Sequence, residues 1–390
     1  MSKSKLHKNV WVLTAAQALV MCVNSVIVFA GGLVGAELAP TKELSTLPVA
    51  SAVVGTALST LPLGFFMQRI GRKRTFSISL LFSIGIAGLA TISITNSSFY
   101  LFSFATFLFG FTSATVMQFR FAAMESVEAD QIPKAASTVL LGGIIAAFLG
   151  PEVALAGKDL LKSPYSGSFA LLGGLFAIGV IIIQLYQQPQ VTSSARKGQK
   201  ASIKNIFGRN VFLIALLSSV VGYSIMTFVM TSTPVSMHMM DGHSLSETKW
   251  VIQSHIVAMF LPSLITPAII NRIGLKKTMG GGLLCYLICI GLGFIGHDVF
   301  NYWISLVLLG VGWNFLFIAG TSLLPQSHSP EEKFQVQSIN DFMVFGVQAM
   351  ASLSAGWFIF KFGWETVLLI PIPIIVVHFI VLYKLKYEKH

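Results

Sequence analysis

Residues 64–75 read GFFMQRIGRKRT, and a related stretch, PAIINRIGLKKT, recurs at residues 267–278. At a common offset of 203 residues, the identical positions include Arg69 with Arg272, Gly71 with Gly274, and Thr75 with Thr278. In each copy, an apolar run is followed by a short turn that contains basic residues. A repeat at this distance indicates that the chain contains two related halves.

The composition of the whole chain is that of an integral membrane protein. Of 390 residues, 54% are hydrophobic and 11% are charged, and the mean hydropathy is +0.77. A water-exposed surface needs about twice that share of charged residues. The apolar surface must therefore face lipid, which excludes an assembly of soluble domains.

Twelve apolar windows of about 20 residues, bounded by polar or charged residues, predict twelve transmembrane helices. The windows lie at 10–35, 45–68, 75–95, 99–123, 134–157, 167–186, 210–232, 248–270, 278–296, 300–323, 335–360 and 363–385. We therefore expect an all-α membrane protein.

A polar stretch rich in Gln, Ser and Lys separates the first six windows from the last six. It predicts an N-terminal six-helix bundle at 1–186, a cytoplasmic linker at 187–209 and a C-terminal six-helix bundle at 210–390. Together with the repeat, this division indicates two pseudo-symmetric bundles. Such an arrangement is typical of transporters in which one bundle rocks against the other around a site near the middle of the membrane.

The basic residues predict the orientation of the chain. With the N-terminus in the cytoplasm, 21 of the 26 Lys and Arg residues fall in inner loops. The other five are on the outside: Lys42, Lys158, Lys162, Lys249 and Lys361. This asymmetry predicts a multi-pass protein of the bacterial inner membrane with both termini cytoplasmic. It also accounts for the net charge of +11 without a nucleic-acid partner.

The stretch from Gly64 to Arg74 resembles the signature between helices 2 and 3 of the major facilitator superfamily, Gly-x-x-x-Asp-Arg-x-Gly-Arg-Arg/Lys-Arg/Lys. The resemblance implies the major facilitator fold, a small-molecule substrate, a proton or other coupling ion, and a monomer in the lipid bilayer. Gln68 departs from the pattern, because the family carries a carboxylate there. Residues 104–110 also lack the Arg that is usual in the antiporter branch, which argues against proton-driven drug export.

The motif and its surroundings supply the predicted gate residues, which are Gly64, Gln68, Arg69, Gly71, Arg72, Arg74, Arg120, Glu125, Arg272 and Gly274. By analogy with the family, Glu125 replaces the missing carboxylate as the partner of Arg72. We also expect Arg120 and Asp341 to pair across the cytosolic gate. The alternative is that these charges only fix topology in solvated loops.

Ionisable residues inside the predicted spans are few, and burying a charge in hydrocarbon costs at least about 2.5–3.5 kcal/mol. Asp341 and Asn314 are predicted at similar depths, and His255 lies about 10 Å below the outer surface. These residues can bind a substrate or carry a proton. Asp341 is alternatively a helix-dipole partner, and His255 a packing residue.

Further polar or aromatic residues are candidates for the substrate or proton pathway: Gln17, Asn24, Glu152, Tyr223, Thr227, Trp313 and Asn340. In membranes, amides and hydroxyls also hold helices together without a transport role. The outer segment 237–243, MHMMDGH, contains soft ligands that suit a late transition metal, although methionines there also serve as apolar filler. We predict no bound metal.

The sequence contains no nucleotide, zinc-protease or dithiol motif, so we expect neither an enzyme nor a cofactor. The prediction is a secondary active transporter of a small polar or amphiphilic organic solute, coupled to protons and working by alternating access. Stretches such as QFRFAA at 118–123 and INDFMVFG at 339–346 resemble a little-characterised bacterial subgroup, for whose relatives riboflavin-like uptake has been proposed. The alternatives are an exporter of drugs or metabolites, a transporter of a riboflavin-like vitamin or a metal, and a receptor or sensor that binds solute without moving it.

Overall fold

The structure is a computed structural model that describes residues 6–41, 44, 46–188 and 201–385. Several residues that entered the charge count lie outside these ranges: Lys3, Lys5, Lys42, Arg196, Lys197, Lys200, Lys386 and Lys389. Within the described residues the chain is helical and contains no strand. The prediction of an all-α protein is confirmed.

Ten helices in the described ranges are long and apolar enough to cross a membrane, and a pair bent by 53°, Ser246–Leu264 with Thr266–Ile273, makes eleven. One of the ten is a run of 52 residues, Lys333–Lys384. At about 1.5 Å per residue, it is more than twice as long as the ~30 Å hydrocarbon core is thick. Gly363, at φ 80° and ψ 177°, interrupts it. The run therefore supplies two crossings, in agreement with the predicted twelve.

The helices are numbered in chain order. They are α1 Lys8–Leu38, α2 Leu47–Ile70, α3 Arg72–Thr95, α4 Phe99–Met124, α5 Ala129–Ala156, α6 Ser166–Gln184, α7 Asn210–Met240, α8 Ser246–Leu264 with Thr266–Ile273, α9 Leu275–Ile295, α10 Val299–Ser327, α11 Lys333–Leu369 and α12 Pro371–Lys384. Large apolar side chains such as Val28 and Ile181 are exposed on them. Such a surface suits lipid rather than water.

The chain divides into two compact units, Met1–Gly198 with Gln337–Phe342, and Gln199–Val336 with Met343–His390. The short segment Gln337–Phe342 of α11 therefore belongs to the first unit. The boundaries drawn from the sequence, at 186 and 210, stay a prediction, because most of the linker is outside the described residues.

In the first unit, α2 packs against α4, α3 packs against α4 and α6, and α1 packs against α5. The α2–α4 contact depends on glycine. A Cβ atom on Gly110 would lie 2.2 Å from the backbone carbon of Gly55, and one on Gly55 would lie 2.0 Å from the carbonyl oxygen of Phe107. In the second unit, α10 is central and packs against α7, α8 and α9.

The repeated stretch has the same backbone in both copies. Gly71, at φ 81° and ψ 165°, separates α2 from α3, and Gly274, at φ 86° and ψ 164°, separates α8 from α9. Only glycine adopts this region without strain. Thr75 donates its hydroxyl to the Gly71 carbonyl at 2.7 Å, and Thr278 donates to the Gly274 carbonyl at 2.9 Å. The shared Gly and Thr positions therefore build one tight turn twice.

Candidate gate and substrate sites

Arg120 and Asp341 form an ion pair inside the first unit. Nη2 of Arg120 donates to Oδ1 of Asp341 at 2.5 Å, and the two side chains are 2% and 0% exposed. Asn340 donates to the same carboxylate oxygen at 3.1 Å. Arg120 also donates to the Met117 carbonyl at 2.8 Å and lies over the ring of Phe121. The burial and the hydrogen bonds together satisfy the conditions under which an ion pair is tolerated away from water.

Arg72 and Glu125 form a second ion pair in the same unit. Nε and Nη2 of Arg72 donate to the two carboxylate oxygens at 3.0 Å and 2.6 Å. Such a two-pronged contact is stronger and more directional than a single one. Gln337 joins the pair: its Oε1 accepts from Arg72 at 2.5 Å and its Nε2 donates to Glu125 at 3.4 Å.

Gln118 links the two ion pairs, and the sequence analysis did not single it out. Its Oε1 accepts from Nη1 of Arg72 at 3.4 Å, and its Nε2 donates to Oδ2 of Asp341 at 2.8 Å. The residue is completely buried near the C-terminal end of α4, two positions before Arg120. An amide that precedes a buried Arg in an apolar span is a signal that could have identified it.

The other motif residues lie outside this polar cluster. Arg69, Arg74 and Arg272 are exposed, and Arg69 lies over the ring of Phe65 at 4.1 Å. Gln68 is half-buried, and Gly64 is buried. Arg72 alone among the motif arginines is brought to a carboxylate in the described contacts.

His255 lies in α8 with no exposed surface. Its Nδ1 donates to the Leu306 carbonyl of α10 at 2.7 Å, because a carbonyl only accepts. Within the described part of the chain, Nε2 has no hydrogen-bond partner. The ring is therefore held in one tautomer, with its second nitrogen buried and without a described partner.

Asn314 is fully engaged with α8. Its amide group donates to the Met259 carbonyl at 2.7 Å and to the Ser263 hydroxyl at 2.8 Å, and it accepts from the Thr266 hydroxyl at 2.7 Å. These three partners flank the bend of α8. Asn314 thus stabilises the bend and has no free amide hydrogen for a substrate in this arrangement.

Five aromatic side chains form a buried group in the second unit, and we call them the aromatic group: Tyr223, Phe260, Trp313, Phe317 and Phe345. Trp313 is stacked with Phe317 at 5.1 Å between centroids and meets Tyr223 edge-to-face at 5.2 Å. Its Nε1 is buried without a hydrogen-bond partner among the described residues. The rings of the group pack mainly on one another.

The remaining candidates are dispersed. In the first unit, Asn24 accepts from the Ser113 hydroxyl at 2.6 Å, Gln17 donates to the Met21 sulfur at 3.3 Å, and Glu152 is exposed. In the second unit, Thr227 is buried beside Met226 at 4.0 Å. None of these four makes a described hydrogen bond to another of them.

The Met- and His-rich segment 237–243 belongs to a polar cluster at one end of the second unit. Asp241 accepts from Tyr302 at 2.6 Å and pairs with His297 at 3.2 Å, and His243 contacts the His297 carbonyl. Among the described residues, no group of three or more His, Cys, Asp or Glu side chains has the geometry to hold a metal ion.

The apolar helices, the repeated turn and the two compact units define a multi-pass membrane transporter. The chain belongs to the Major Facilitator Superfamily, whose profile matches residues 13–242 and 226–390. The resemblance noted in the sequence is thereby confirmed. This family and the relatives below are transporters and not enzymes.

Curated relatives cover nearly the whole chain. The chain is 34% identical over 374 residues to the riboflavin transporter RfnT of Brucella anthropi, which covers 95% of this chain and 93% of that protein. It is 27% identical over 376 residues to the uncharacterized MFS-type transporter YddS of Bacillus subtilis, with 90% and 86% covered.

Solved structures share the fold. The proton:xylose symporter XylE superimposes with a TM-score of 0.80 at 14% identity, covering 98% of this chain and 96% of that one. A bacterial homologue of the iron transporter ferroportin superimposes with a TM-score of 0.76 at 13% identity, covering 97% and 99%. At these identities the likeness concerns the fold alone.

Proposed function

We propose that this transporter carries riboflavin or a closely similar flavin, which is a small amphiphilic solute with a planar ring system. The observation that supports the substrate is the 34% identity to a riboflavin transporter over 95% of the chain. The aromatic group gives the proposal a physical basis. Stacking between planar aromatic systems contributes about 0.5–1.5 kcal/mol per pair beyond the area buried.

Trp313 is the proposed contact for the ring system. It offers an aromatic face and a buried N–H donor without a described partner, whereas a flavin ring offers carbonyl and ring-nitrogen acceptors. Asn314, the next residue, has a different role: it fixes the bend of α8 and thereby the position of Phe260.

The proposed mechanism is alternating access, with the ion pair of Arg120 and Asp341 as part of the cytosolic gate. Separating a buried ion pair costs much free energy when its charges stay in an apolar medium and little when they reach water. Such a pair therefore suits a two-state switch. The pair forms in the outward-open state and breaks in the inward-open state.

His255 is the proposed proton site. Its free Nε2 lies in a buried position, and an imidazole changes charge near neutral pH unless its surroundings prevent it. We further propose that the protein is a monomer of the bacterial inner membrane with both termini in the cytoplasm. Labelling tests this orientation: a membrane-impermeant thiol reagent added outside should modify Met239→Cys and spare Lys204→Cys, both of which replace exposed residues.

Uptake of radiolabelled riboflavin into proteoliposomes tests the substrate. We expect Trp313→Ala to raise KM about two- to tenfold, the equivalent of one lost aromatic pair, and Trp313→Phe to lose less. The matched control is Trp303→Ala, in the same helix but stacked on Trp250 at 5.5 Å. Binding without uptake or counterflow would favour a receptor, and no binding of riboflavin at all would overturn the proposed substrate.

A further inference from the structure

The two ion pairs of the first unit, one fully buried and one with Glu125 partly exposed, form one continuous polar network through a single amide. Arg72 with Glu125 and Arg120 with Asp341 contribute two positive and two negative charges. Gln118 contacts a cation of the first pair and the anion of the second.

We infer that Gln118 couples the motif pair Arg72–Glu125 to the gate pair Arg120–Asp341, so that the two pairs form and break together. This inference deepens the gate that we propose above. It assigns Gln118 as a positioning residue, since the amide acts through the ion pairs and not on the solute.

The orientation of the amide carries the first step of the argument. Its oxygen faces a guanidinium and its N–H faces a carboxylate, so the amide dipole is favourably aligned with both charges. Hydrogen bonds to charged groups are stronger than those between neutral groups. Because a buried chain of such bonds polarises along its length, the loss of one end weakens the other.

The burial of the network carries the second step. Arg72, Arg120 and Asp341 are each at most 2% exposed, and Gln118 is completely buried. When one pair separates, the amide keeps a bond at only one end, and the buried group at the other end loses a partner. An unpaired buried polar group is costly, which favours separation of the second pair as well.

The segment Gln337–Phe342 carries the third step. It lies in α11, belongs to the first unit, and supplies Gln337 to one pair and Asp341 to the other. Both ion pairs therefore hold the same short piece of helix, at its two ends. Because Gln118 couples the two ion pairs, the segment Gln337–Phe342 is either held by both pairs or released by both.

A double-mutant cycle tests the coupling. Glu125→Gln weakens the first pair and Asp341→Asn the second, and the two are made singly and together in three backgrounds: native, Gln118→Leu and Gln337→Leu. Gln337 is the matched control, because it is an equally buried amide whose described bonds go to Arg72 and Glu125. Spin labels at Lys134 and Lys277, both exposed, report the ratio of the two conformations without added solute, after Cys22, Cys285 and Cys289 have been replaced.

Each variant changes the ratio of the two conformations by some factor. In the native background we expect the factor for the double variant to be at least about fivefold smaller than the product of the factors for the two single variants. With Gln118→Leu the shifts should multiply to within about twofold, and with Gln337→Leu the shortfall should persist. A shortfall that survives Gln118→Leu unchanged would mean that the charges act on each other through space, and would overturn the coupling.

A complementary pair of substitutions guards against a simple packing effect. Gln118→Glu with Asp341→Asn keeps two positive and two negative charges in the network and reverses the direction of the bond at position 341. This double variant should be closer to the native ratio than Gln118→Glu alone, which adds a third negative charge. If it is no closer, the amide is only a packing residue.

Failure of the gate gives a different result from failure of the coupling. If neither Asp341→Asn nor Glu125→Gln alone changes the label distances, the proposed gate is wrong. The same cycle measured as shifts in the ratio of unfolded to folded protein then decides whether Gln118 couples the pairs. The choice of riboflavin as substrate does not enter either measurement.

Discussion

Removal of one partner from the Arg120–Asp341 pair should shift the conformational equilibrium strongly. Both side chains are buried and their closest atoms are 2.5 Å apart. Breaking such a pair from one side costs about 3–5 kcal/mol, since a charge is left without its counterion. At about 1.4 kcal/mol for each factor of ten, the ratio of the two states moves by between a hundredfold and a few thousandfold if the whole cost falls on the paired state.

The two single variants should differ in a way that the structure specifies. In Arg120→Ala, Asp341 keeps the donors of Gln118 and Asn340 and can also take up a proton. In Asp341→Ala, Arg120 keeps the Met117 carbonyl and cannot lose its charge. We therefore expect Asp341→Ala to cause the larger shift towards the inward-open state, and only the effect of Arg120→Ala to diminish at low pH.

Distances between spin labels at Lys134 and Lys277 measure the shift directly. The charge swap Arg120→Asp with Asp341→Arg should recover part of the outward-open population, because the pair is re-formed with its sign reversed. If the swap is no better than either single variant and the single variants leave the distances unchanged, there is no gate pair. Asp341 would then be a substrate ligand or a helix-dipole partner.

Three further predictions concern the proton, the repeated turn and acid stability. His255→Gln should abolish pH-driven riboflavin accumulation and leave riboflavin counterflow intact. If the variant keeps both activities, His255 is a packing residue. Gly71→Ala and Gly274→Ala should each lower the free energy of unfolding by about 1–3 kcal/mol through backbone strain. The loss should be larger for Gly71→Ala, because its new Cβ would lie 2.5 Å from the side chain of Gln188. The new Cβ at position 274 would meet nothing within 4 Å. Hydrogen bonds from Arg209, at 2.7 Å and 2.8 Å, hold the pKa of Glu332 below its usual range. The pair therefore stabilises the fold fully above about pH 4.3, and this stabilisation is lost as the pH falls through the lowered pKa. In thermal unfolding between pH 3 and pH 6, Glu332→Gln should not show this loss of stability.

The fold could be predicted from the sequence because its causes are local and repeated. Apolar length identifies each span, and a glycine in a region closed to other residues marks the same turn twice, at Gly71 and Gly274. The bend of α8 was harder to predict. It is stabilised by three hydrogen bonds with Asn314, about 50 positions further along the chain, of which two are donated by its amide group and one is accepted from Thr266.

Residues of the candidate site could be predicted only where a charged residue lies in an apolar predicted span. Arg120 and Asp341 were paired from their depths in an apolar chain, because few other buried partners exist for either. Gln118 and Gln337 were missed, since an amide in a span is as often a contact between helices as part of a network. The sequence predicts Asn314 as a substrate or proton-coupling residue from its depth, and depth does not reveal which neighbours bond to an amide.

The absence of a carboxylate at position 68 gives the network its particular form. In the family pattern this position is acidic, whereas here Gln68 is neutral and only half-buried. The charge of Arg72 is balanced instead by Glu125, and its other described hydrogen bonds go to the neutral amides of Gln118 and Gln337 and to the Met67 sulfur. The two ion pairs bring two cations and two anions into the network. In the coupling that we infer, the amide of Gln118 bonds to a charge of each pair, so the opening of one pair removes a partner from the other, and this is the physical reason for both pairs to open in one step.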